Sequence, residues 1–136
     1  MNIEPLNLLI ADDDTDDRIF FKDALEELPV AAKLTTVNDG VQLMHFLYKS
    51  ELLPNVLYLD LNMTRINGFD CLVEIKMDEK LKQLPVIIFS TSFDKEVVSL
   101  LHEKGAHFYI RKPAEFSNLK MVIEKLLELI AETNSQ

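Results

Sequence analysis

The chain has 136 residues, of which 48% are hydrophobic, and this suits one domain with a full hydrophobic core. The formal net charge of −9 would repel nucleic-acid phosphates and anionic lipid headgroups, so neither nucleic acid nor membrane is expected as a main partner. No segment approaches 18 uninterrupted apolar residues, and the single cysteine, Cys71, excludes an internal disulfide. We therefore expect a cytoplasmic protein whose partners are proteins, with Cys71 buried as a small hydrophobe.

Short apolar runs alternate with longer segments of helical period, which indicates an α/β fold. The runs VLYL and PVIIF are continuously apolar, as central parallel strands covered on both faces should be, whereas the more polar KLTTV suits an edge. The predicted strands are Leu6–Ala11, Lys33–Val37, Val56–Asp60, Pro85–Ser90 and Phe108–Arg111. The predicted helices span roughly residues 16–28, 40–49, 68–79, 94–104 and 116–131. Five βα units result, in a single domain covering residues 1–136.

The last predicted helix carries an apolar stripe with the i, i+3, i+4, i+7 spacing of one helix face. We interpret this stripe as core packing rather than as a partner site. Its members are Leu119, Val122, Ile123, Leu126, Leu127 and Ile130.

The segment ADDDTDD, residues 11–17, crowds five aspartates directly after the first predicted strand. Two carboxylates about 4 Å apart repel by roughly 4 kcal/mol at an effective dielectric constant near 20. A divalent cation would relieve this repulsion, and ligands that are all oxygen suit Mg²⁺ or Ca²⁺. The alternative is helix capping, because aspartate is favoured at N-caps and in first turns and this would account for Asp14, Asp16 and Asp17.

Ligand sites of parallel sheets lie outside the carboxyl ends of the strands. The residues found there are Asp12 and Asp13 after the first strand, Asp60 at the end of the third, Ser90 and Thr91 at the fourth, and Lys112 with Pro113 after the fifth. Three carboxylates, a hydroxyl and an ammonium can thus converge on one edge of the sheet. Such a set fits a divalent cation and a phosphoryl group, whose transfer requires mainly charge neutralisation and in-line positioning.

Four motifs follow one another at these strand ends: DD at 12–13, DLNMTRINGFD at 60–70, PVIIFSTS at 85–92 and GAHFYIRKP at 105–113. In this order and spacing they resemble the receiver domains of two-component response regulators over essentially the whole chain. The resemblance implies a doubly wound, flavodoxin-like (βα)5 fold with a parallel five-stranded sheet of order 2-1-3-4-5. The segments HFLYK and VIIFSTS are similar to stand-alone regulators, including those paired with bacterial phytochromes.

The resemblance also implies a metal and phosphoryl site. Asp60 looks like the phosphoacceptor of a Mg²⁺-dependent reaction and also contributes to the metal site. Asp13 corresponds to a direct Mg²⁺ ligand, Asp12 to a ligand acting largely through water, and the backbone carbonyl of Asn62 to a further ligand. Lys112 corresponds to the active-site lysine of the family, and we expect it to hold phosphoryl oxygens together with the Ser90 hydroxyl, so that Asp60, Lys112 and Ser90 are the predicted catalytic residues.

Ser90 corresponds to the switch hydroxyl of the family and Tyr109 to its switch aromatic. The bond from Lys112 to Pro113 is usually cis in the family, so we expect a cis bond here. The family's loop usually carries proline where this chain has Thr64, and an aromatic residue often follows Lys-Pro where it has Ala114. The geometry and stiffness of the loop after Asp60 are therefore open.

Partners also follow from the resemblance. The phosphoryl donor should be a histidine on a sensor histidine kinase or a histidine phosphotransfer protein, and His45, His102 and His107 of this chain should be bystanders. Because the sequence stops soon after the fifth helix, we expect no output domain and no enzymatic activity beyond the domain's own phosphorylation and dephosphorylation. The signal should leave through the fourth helix, fifth strand and fifth helix, toward an unidentified protein; a homodimer is left open.

Two other classes of protein share parts of the pattern. In an EF-hand-like calcium loop, Asp12, Asp14 and Asp16 would occupy positions one, three and five. The sixth position, however, is Asp17 rather than glycine, and the twelfth is Asp23 rather than glutamate. A haloacid-dehalogenase-type phosphatase has a DxDx[TV] motif that Asp12 and Asp14 imitate, but its fifth position is Asp16 here.

Overall fold

Five strands and five helices alternate along the chain. The strands are β1 (Leu6–Ala11), β2 (Ala32–Val37), β3 (Val56–Asp60), β4 (Val86–Ser90) and β5 (Phe108–Arg111). The helices are α1 (Thr15–Glu26), α2 (Gly40–Lys49), α3 (Gly68–Met77), α4 (Lys95–Glu103) and α5 (Phe116–Asn134). This computed structural model describes residues 5–91 and 93–134, without the side chains of 132–134. Residues 1–4, 92, 135 and 136, which the predicted domain includes, lie outside the described residues.

The strands form one parallel sheet in the order β2-β1-β3-β4-β5, so the predicted doubly wound fold is confirmed. The polar strand β2 lies at an edge, as its composition predicted. Three strands have the predicted bounds, while β2 begins one residue earlier, at Ala32, and β4 one residue later, at Val86. Helix α3 ends earlier than predicted, because Asp78 adopts an extended conformation with φ −93° and ψ 131°.

Apolar side chains cover both faces of the sheet. One face packs against α1 and α5, and the other against α2, α3 and α4. The predicted stripe of α5 faces the core: five of its six members are buried and Val122 is half-buried. Cys71 is fully buried, as predicted. Within the described residues, no helix is both long enough and apolar enough to span a membrane.

Acidic and amide side chains begin the helices that follow the strand ends. Asp14, Asp39, Asn67 and Asp94 each accept a hydrogen bond from a backbone N–H in the first turn of the following helix. Such N-caps satisfy amide groups that have no partner inside the helix. They fix where each helix starts, and so they shape the loops at the carboxyl edge of the sheet.

Gly68 begins α3 close to the backbone of the strand end. A Cβ atom at this position would collide with the Asp60 carbonyl oxygen and would lie 2.7 Å from the Leu61 Cα. The glycine is therefore required for a close approach of two backbone segments rather than for an unusual φ. This approach brings the start of α3 directly under the end of β3.

We predict that Gly68→Ala lowers the free energy of unfolding by about 1–3 kcal/mol, because the backbone at Asp60 must move to admit the methyl group. Urea denaturation measures the change. Thr64→Ala, an exposed substitution in the same loop, is the control and should alter the free energy by less than about 0.5 kcal/mol. Equal free energies of unfolding for the Gly68→Ala variant and the wild type would show that the backbone at Asp60 can move to admit the methyl group without loss of stability.

Candidate functional site

Three carboxylates converge at the carboxyl edge of the sheet. Asp12 and Asp13 follow β1 directly, and Asp60 ends the neighbouring strand β3, which pairs with β1 in parallel register. One oxygen atom from each of the three lies within 4.8 Å of the others. Asp12 and Asp60 are only 2% and 6% exposed, whereas Asp13 is exposed to solvent. The sequence prediction that these acids meet is therefore confirmed by their positions.

The Lys112 ammonium lies among these carboxylates. Its Nζ is 2.7 Å from Asp12 Oδ2, 2.8 Å from Asp17 Oδ2 and 3.7 Å from Asp60 Oδ2. The Lys112 backbone N–H donates to the Ser90 carbonyl oxygen at 2.7 Å, which fixes the start of the side chain beside the end of β4. The Lys112 ammonium thus partly neutralises the charges of Asp12, Asp17 and Asp60.

Burial raises the pKa of Asp60 to about 6 from its ordinary value of 3.8. The nearby Lys112 charge lowers this pKa and the Asp12 and Asp13 charges raise it; the Asn62 N–H, 3.3 Å from Asp60 Oδ1, also favours the ionised form. Burial alone would lower the pKa of Lys112. The hydrogen bonds that its ammonium donates to Asp12 and Asp17 have the larger combined effect, and they raise the Lys112 pKa above its ordinary value. Lys112 therefore remains a cation, while Asp60 titrates close to neutral pH.

Asp17 has a larger part in the site than the sequence indicated. Asp14 is the N-cap of α1 and accepts from the Asp17 N–H at 3.1 Å, as helix capping predicted. The Asp17 side chain, however, accepts a hydrogen bond from Lys112. Arg18 Nη1 also donates to the Asp12 carbonyl oxygen at 2.6 Å. A residue in the first turn after a strand lies near that strand's end, so the sequence places Asp17 close to the site but does not indicate its pairing with Lys112.

The loop after Asp60 differs from the family pattern in sequence, and one of its residues, Arg65, has an unusual backbone conformation. Thr64, in place of the usual proline, is exposed, and Arg65 adopts a left-handed conformation with φ 72°. A non-glycine residue there costs of order 1 kcal/mol, so surrounding contacts must hold the loop. The Asn62 N–H donates to Asp60, whereas metal binding by the Asn62 carbonyl stays a prediction.

Ser90 and Tyr109 occupy neighbouring strands. Asp60 pairs with Phe89 across β3 and β4, so the fully buried Ser90 lies one residue beyond this pair. Tyr109 lies in β5, and its ring meets Phe93 edge to face, with centroids 5.7 Å apart at an interplanar angle of 87°. These positions suit the predicted switch, which itself stays a prediction.

The expectation of a cis bond between Lys112 and Pro113 was wrong. No peptide bond among residues 5–91 and 93–134 is cis. The trans form of a bond to proline is favoured by about 0.5–1 kcal/mol unless tertiary contacts oppose it. Here Lys112 reaches Asp12 and Asp17 with the bond in the trans form.

The three histidines lie outside the acid cluster. His45 is in α2 and His102 is in α4, while His107 Nδ1 accepts a hydrogen bond from the Val86 N–H at 3.3 Å. Burial lowers the pKa of His107, so its ring favours the neutral form that this hydrogen bond requires. The acid cluster among the described residues therefore consists of carboxylates alone.

We predict that Asp60→Asn raises the free energy of unfolding at pH 7.5 by about 1–3 kcal/mol when divalent cations are absent. Between about pH 4 and 6 the folded protein keeps a proton on Asp60 that the unfolded chain loses. The free energy of unfolding of the wild type therefore falls as the pH rises through that window. The Asp60→Asn variant has no ionisable group at position 60, so it does not lose this stability.

Denaturation at pH 4.5 and pH 7.5 measures the effect, and the gain of Asp60→Asn over wild type should be larger at pH 7.5. Asp16→Asn, which removes an exposed charge on the same edge, is the control and should show little pH-dependent gain. If the variant is less stable than the wild type at both pH values, neighbouring groups already stabilise the ionised Asp60 carboxylate and the prediction is wrong.

Comparison with known proteins places the chain in a family. Residues 8–124 match the family model described as "Response regulator receiver domain". The response regulator Rcp1 of Synechocystis sp. is 27% identical over 134 residues, covering 95% of this chain and 91% of Rcp1. The phosphorylated cyanobacterial phytochrome response regulator RcpA superposes with a TM-score of 0.85 at 28% identity, covering 96% of both chains.

The Mn²⁺-bound form of Rcp1 has a TM-score of 0.80 at 26% identity, covering 90% of this chain and 91% of that one. Receiver domains are signalling domains that bind Mg²⁺ or Mn²⁺ in an acidic pocket, and Asp12, Asp13 and Asp60 form such a pocket here. The phosphatase alternative receives no support from these matches. The chain belongs to the response regulator receiver domain family.

Proposed function

We propose that this chain accepts a phosphoryl group onto Asp60 from a histidine kinase or a histidine phosphotransfer protein, in a Mg²⁺-dependent reaction. The observation that carries the proposal is the buried Asp60 carboxylate, which lies beside two further acids and 3.7 Å from the Lys112 ammonium. Residues 1–136 would act as one receiver domain.

The donor set fits a hard divalent cation. Asp12, Asp13 and Asp60 offer oxygen atoms only, and two of these acids are buried where uncompensated charge is costly. These three carboxylates, together with the Asn62 backbone carbonyl, would hold Mg²⁺. The bound cation would supply charge neutralisation to the carboxylates and to the incoming phosphoryl oxygens.

Asp60 would act as the nucleophile. One carboxylate oxygen attacks phosphorus on the donor phosphohistidine, the P–N bond breaks, and its electron pair leaves with the imidazole nitrogen. The attacking carboxylate must be ionised, and its pKa of about 6 leaves it mostly ionised at neutral pH. The product is an acyl phosphate on Asp60.

Lys112 would hold the transferred group. An ammonium has three N–H donors, and those of Lys112 make two short bonds, to Asp12 and Asp17. The 3.7 Å separation from Asp60 Oδ2 exceeds an ordinary hydrogen bond. A phosphoryl oxygen on Asp60 could therefore accept the third N–H while both existing bonds remain.

Ser90 and Tyr109 would transmit the change. A phosphoryl group on Asp60 would attract the Ser90 hydroxyl as a donor, and the Tyr109 ring would take a second position as the hydroxyl moves. Tyr109 belongs to the face formed by α4, β5 and α5. We propose that this face meets a downstream protein or a second copy of the chain.

The proposed reaction predicts one phosphoryl addition when the protein is incubated with acetyl phosphate and Mg²⁺, and none for Asp60→Asn. Intact-mass spectrometry measures the addition, and Asp16→Asn is the charge-matched control that should be labelled like wild type. Full labelling of Asp60→Asn would assign the phosphoacceptor to another residue. Steady hydrolysis of phosphate esters without a stable adduct would instead favour a phosphatase.

The proposed switch predicts that Ser90→Ala accepts the phosphoryl group but transmits little of the change. NMR spectra with and without beryllofluoride, followed at Tyr109 and in α4, measure the response. A bias of about 1.4 kcal/mol moves a two-state equilibrium tenfold, so losing one hydrogen bond should reduce the shifts strongly. Ser117→Ala, an exposed change in α5, is the control. Full wild-type shifts in the Ser90→Ala variant would exclude this coupling.

A further inference from the structure

A cavity of about 40 Å³ lies between the sheet and the helices α1 and α5, next to the acid cluster. Asp12, Asp60 and Lys112 supply polar lining. Phe21 and Phe89 are among its apolar lining residues. The cavity therefore joins a charged region to an aromatic part of the core.

Tyr58, whose ring carries a polar hydroxyl, also lines this cavity. The side chain is fully buried, and its ring lies 4.7 Å from the Phe21 ring and 5.5 Å from the Phe89 ring, centroid to centroid. Its hydroxyl has no hydrogen-bond partner among the protein groups that the structure describes. A buried hydroxyl without a partner reduces the folding equilibrium constant roughly fivefold or more.

The position of Tyr58 in β3 links this hydroxyl to the phosphoacceptor. Tyr58 and Asp60 are two residues apart in a strand, so their side chains point to the same face of the sheet. Phenylalanine at position 58 could make the same ring contacts with Phe21 and Phe89. The hydroxyl adds nothing to this apolar packing, and burying it without a polar partner is costly.

We propose that the Tyr58 hydroxyl binds ordered water in this cavity, and that this water hydrogen-bonds to the Asp60 carboxylate. One water molecule needs about 10–15 Å³ of such space and two to four polar partners, so the cavity has room for two or three. The polar groups available as partners are the Tyr58 hydroxyl, the Lys112 ammonium and the carboxylates of Asp12, Asp17 and Asp60. Tyr58 is then a positioning residue that orients Asp60 through water.

Tyr58→Phe removes the hydroxyl and keeps the ring. Tyr48→Phe is the matched control, since it removes an exposed hydroxyl that donates to Glu74 at 2.6 Å, away from the cavity. Oxygen-17 magnetic relaxation dispersion counts long-lived internal waters in solution. A high-resolution crystal structure of the wild type shows whether one of them lies within hydrogen-bonding distance of Tyr58 Oη.

We expect such a water in the wild type, and the loss of at least one long-lived water in Tyr58→Phe but not in Tyr48→Phe. A wild-type crystal structure with no water at Tyr58 Oη would overturn the proposal, whatever the variant does. So would a fivefold or larger rise in the folding equilibrium constant of Tyr58→Phe, because that gain is the signature of a hydroxyl that had no partner.

The positioning role, unlike the water itself, rests on the proposed phosphorylation of Asp60. With saturating Mg²⁺, the maximal rate of labelling by acetyl phosphate should fall roughly tenfold in Tyr58→Phe, as for other groups that orient a reactive residue indirectly. The acetyl phosphate concentration at half-maximal rate should stay unchanged. Wild-type kinetics in this variant would overturn the positioning role. Absence of labelling in the wild type would instead reject the proposed function, and the relaxation and crystallographic results would still decide the water site.

Discussion

The crowding of the Asp12, Asp13 and Asp60 carboxylates, two of which lie beside the Lys112 ammonium, is the constraint on which the site depends. Carboxylates at such separations repel by several kcal/mol even at an effective dielectric constant near 20, and burial of Asp60 adds to the cost. Lys112 offsets part of this repulsion. Lys112 directly follows β5, which is two strands away from β3, and neighbouring strands lie about 4.8 Å apart, so a long side chain is needed to cross β4. The strand order therefore decides which charges meet.

Most of the fold could be predicted because its signals are local. The runs Val56–Leu59 in β3 and Val86–Phe89 in β4 are continuously apolar, and every residue of both strands is buried. Helix capping was one of the two explanations offered for Asp14, and Asp14 does act as the N-cap of α1. The positions of Asp12, Asp13 and Asp60 followed from the rule that parallel strands present their carboxyl ends at one edge. The roles of individual residues came from family resemblance instead.

Three features depend on tertiary packing and could not be predicted from local sequence. The pairing of Asp17 with Lys112 joins residues 95 positions apart and depends on how α1 lies against the sheet edge. The bond before Pro113 is trans, and sequence spacing does not specify the isomer of a bond to proline. The hydroxyl of Tyr58 and its cavity arise where α1 and α5 meet the sheet, whereas in the sequence Tyr58 is simply one residue of an apolar strand.

The central claim, that this carboxylate cluster is built around a divalent cation, is tested most directly by isothermal titration of Mg²⁺ into wild type, Asp13→Asn and Asp16→Asn. Both substitutions remove one exposed charge close to the end of β1, but only Asp13 belongs to the cluster. We expect one site in the wild type, weakened roughly tenfold or more by Asp13→Asn and by less than about threefold by Asp16→Asn. Equal weakening by the two substitutions would contradict a defined metal site and indicate a diffuse attraction between Mg²⁺ and an acidic surface.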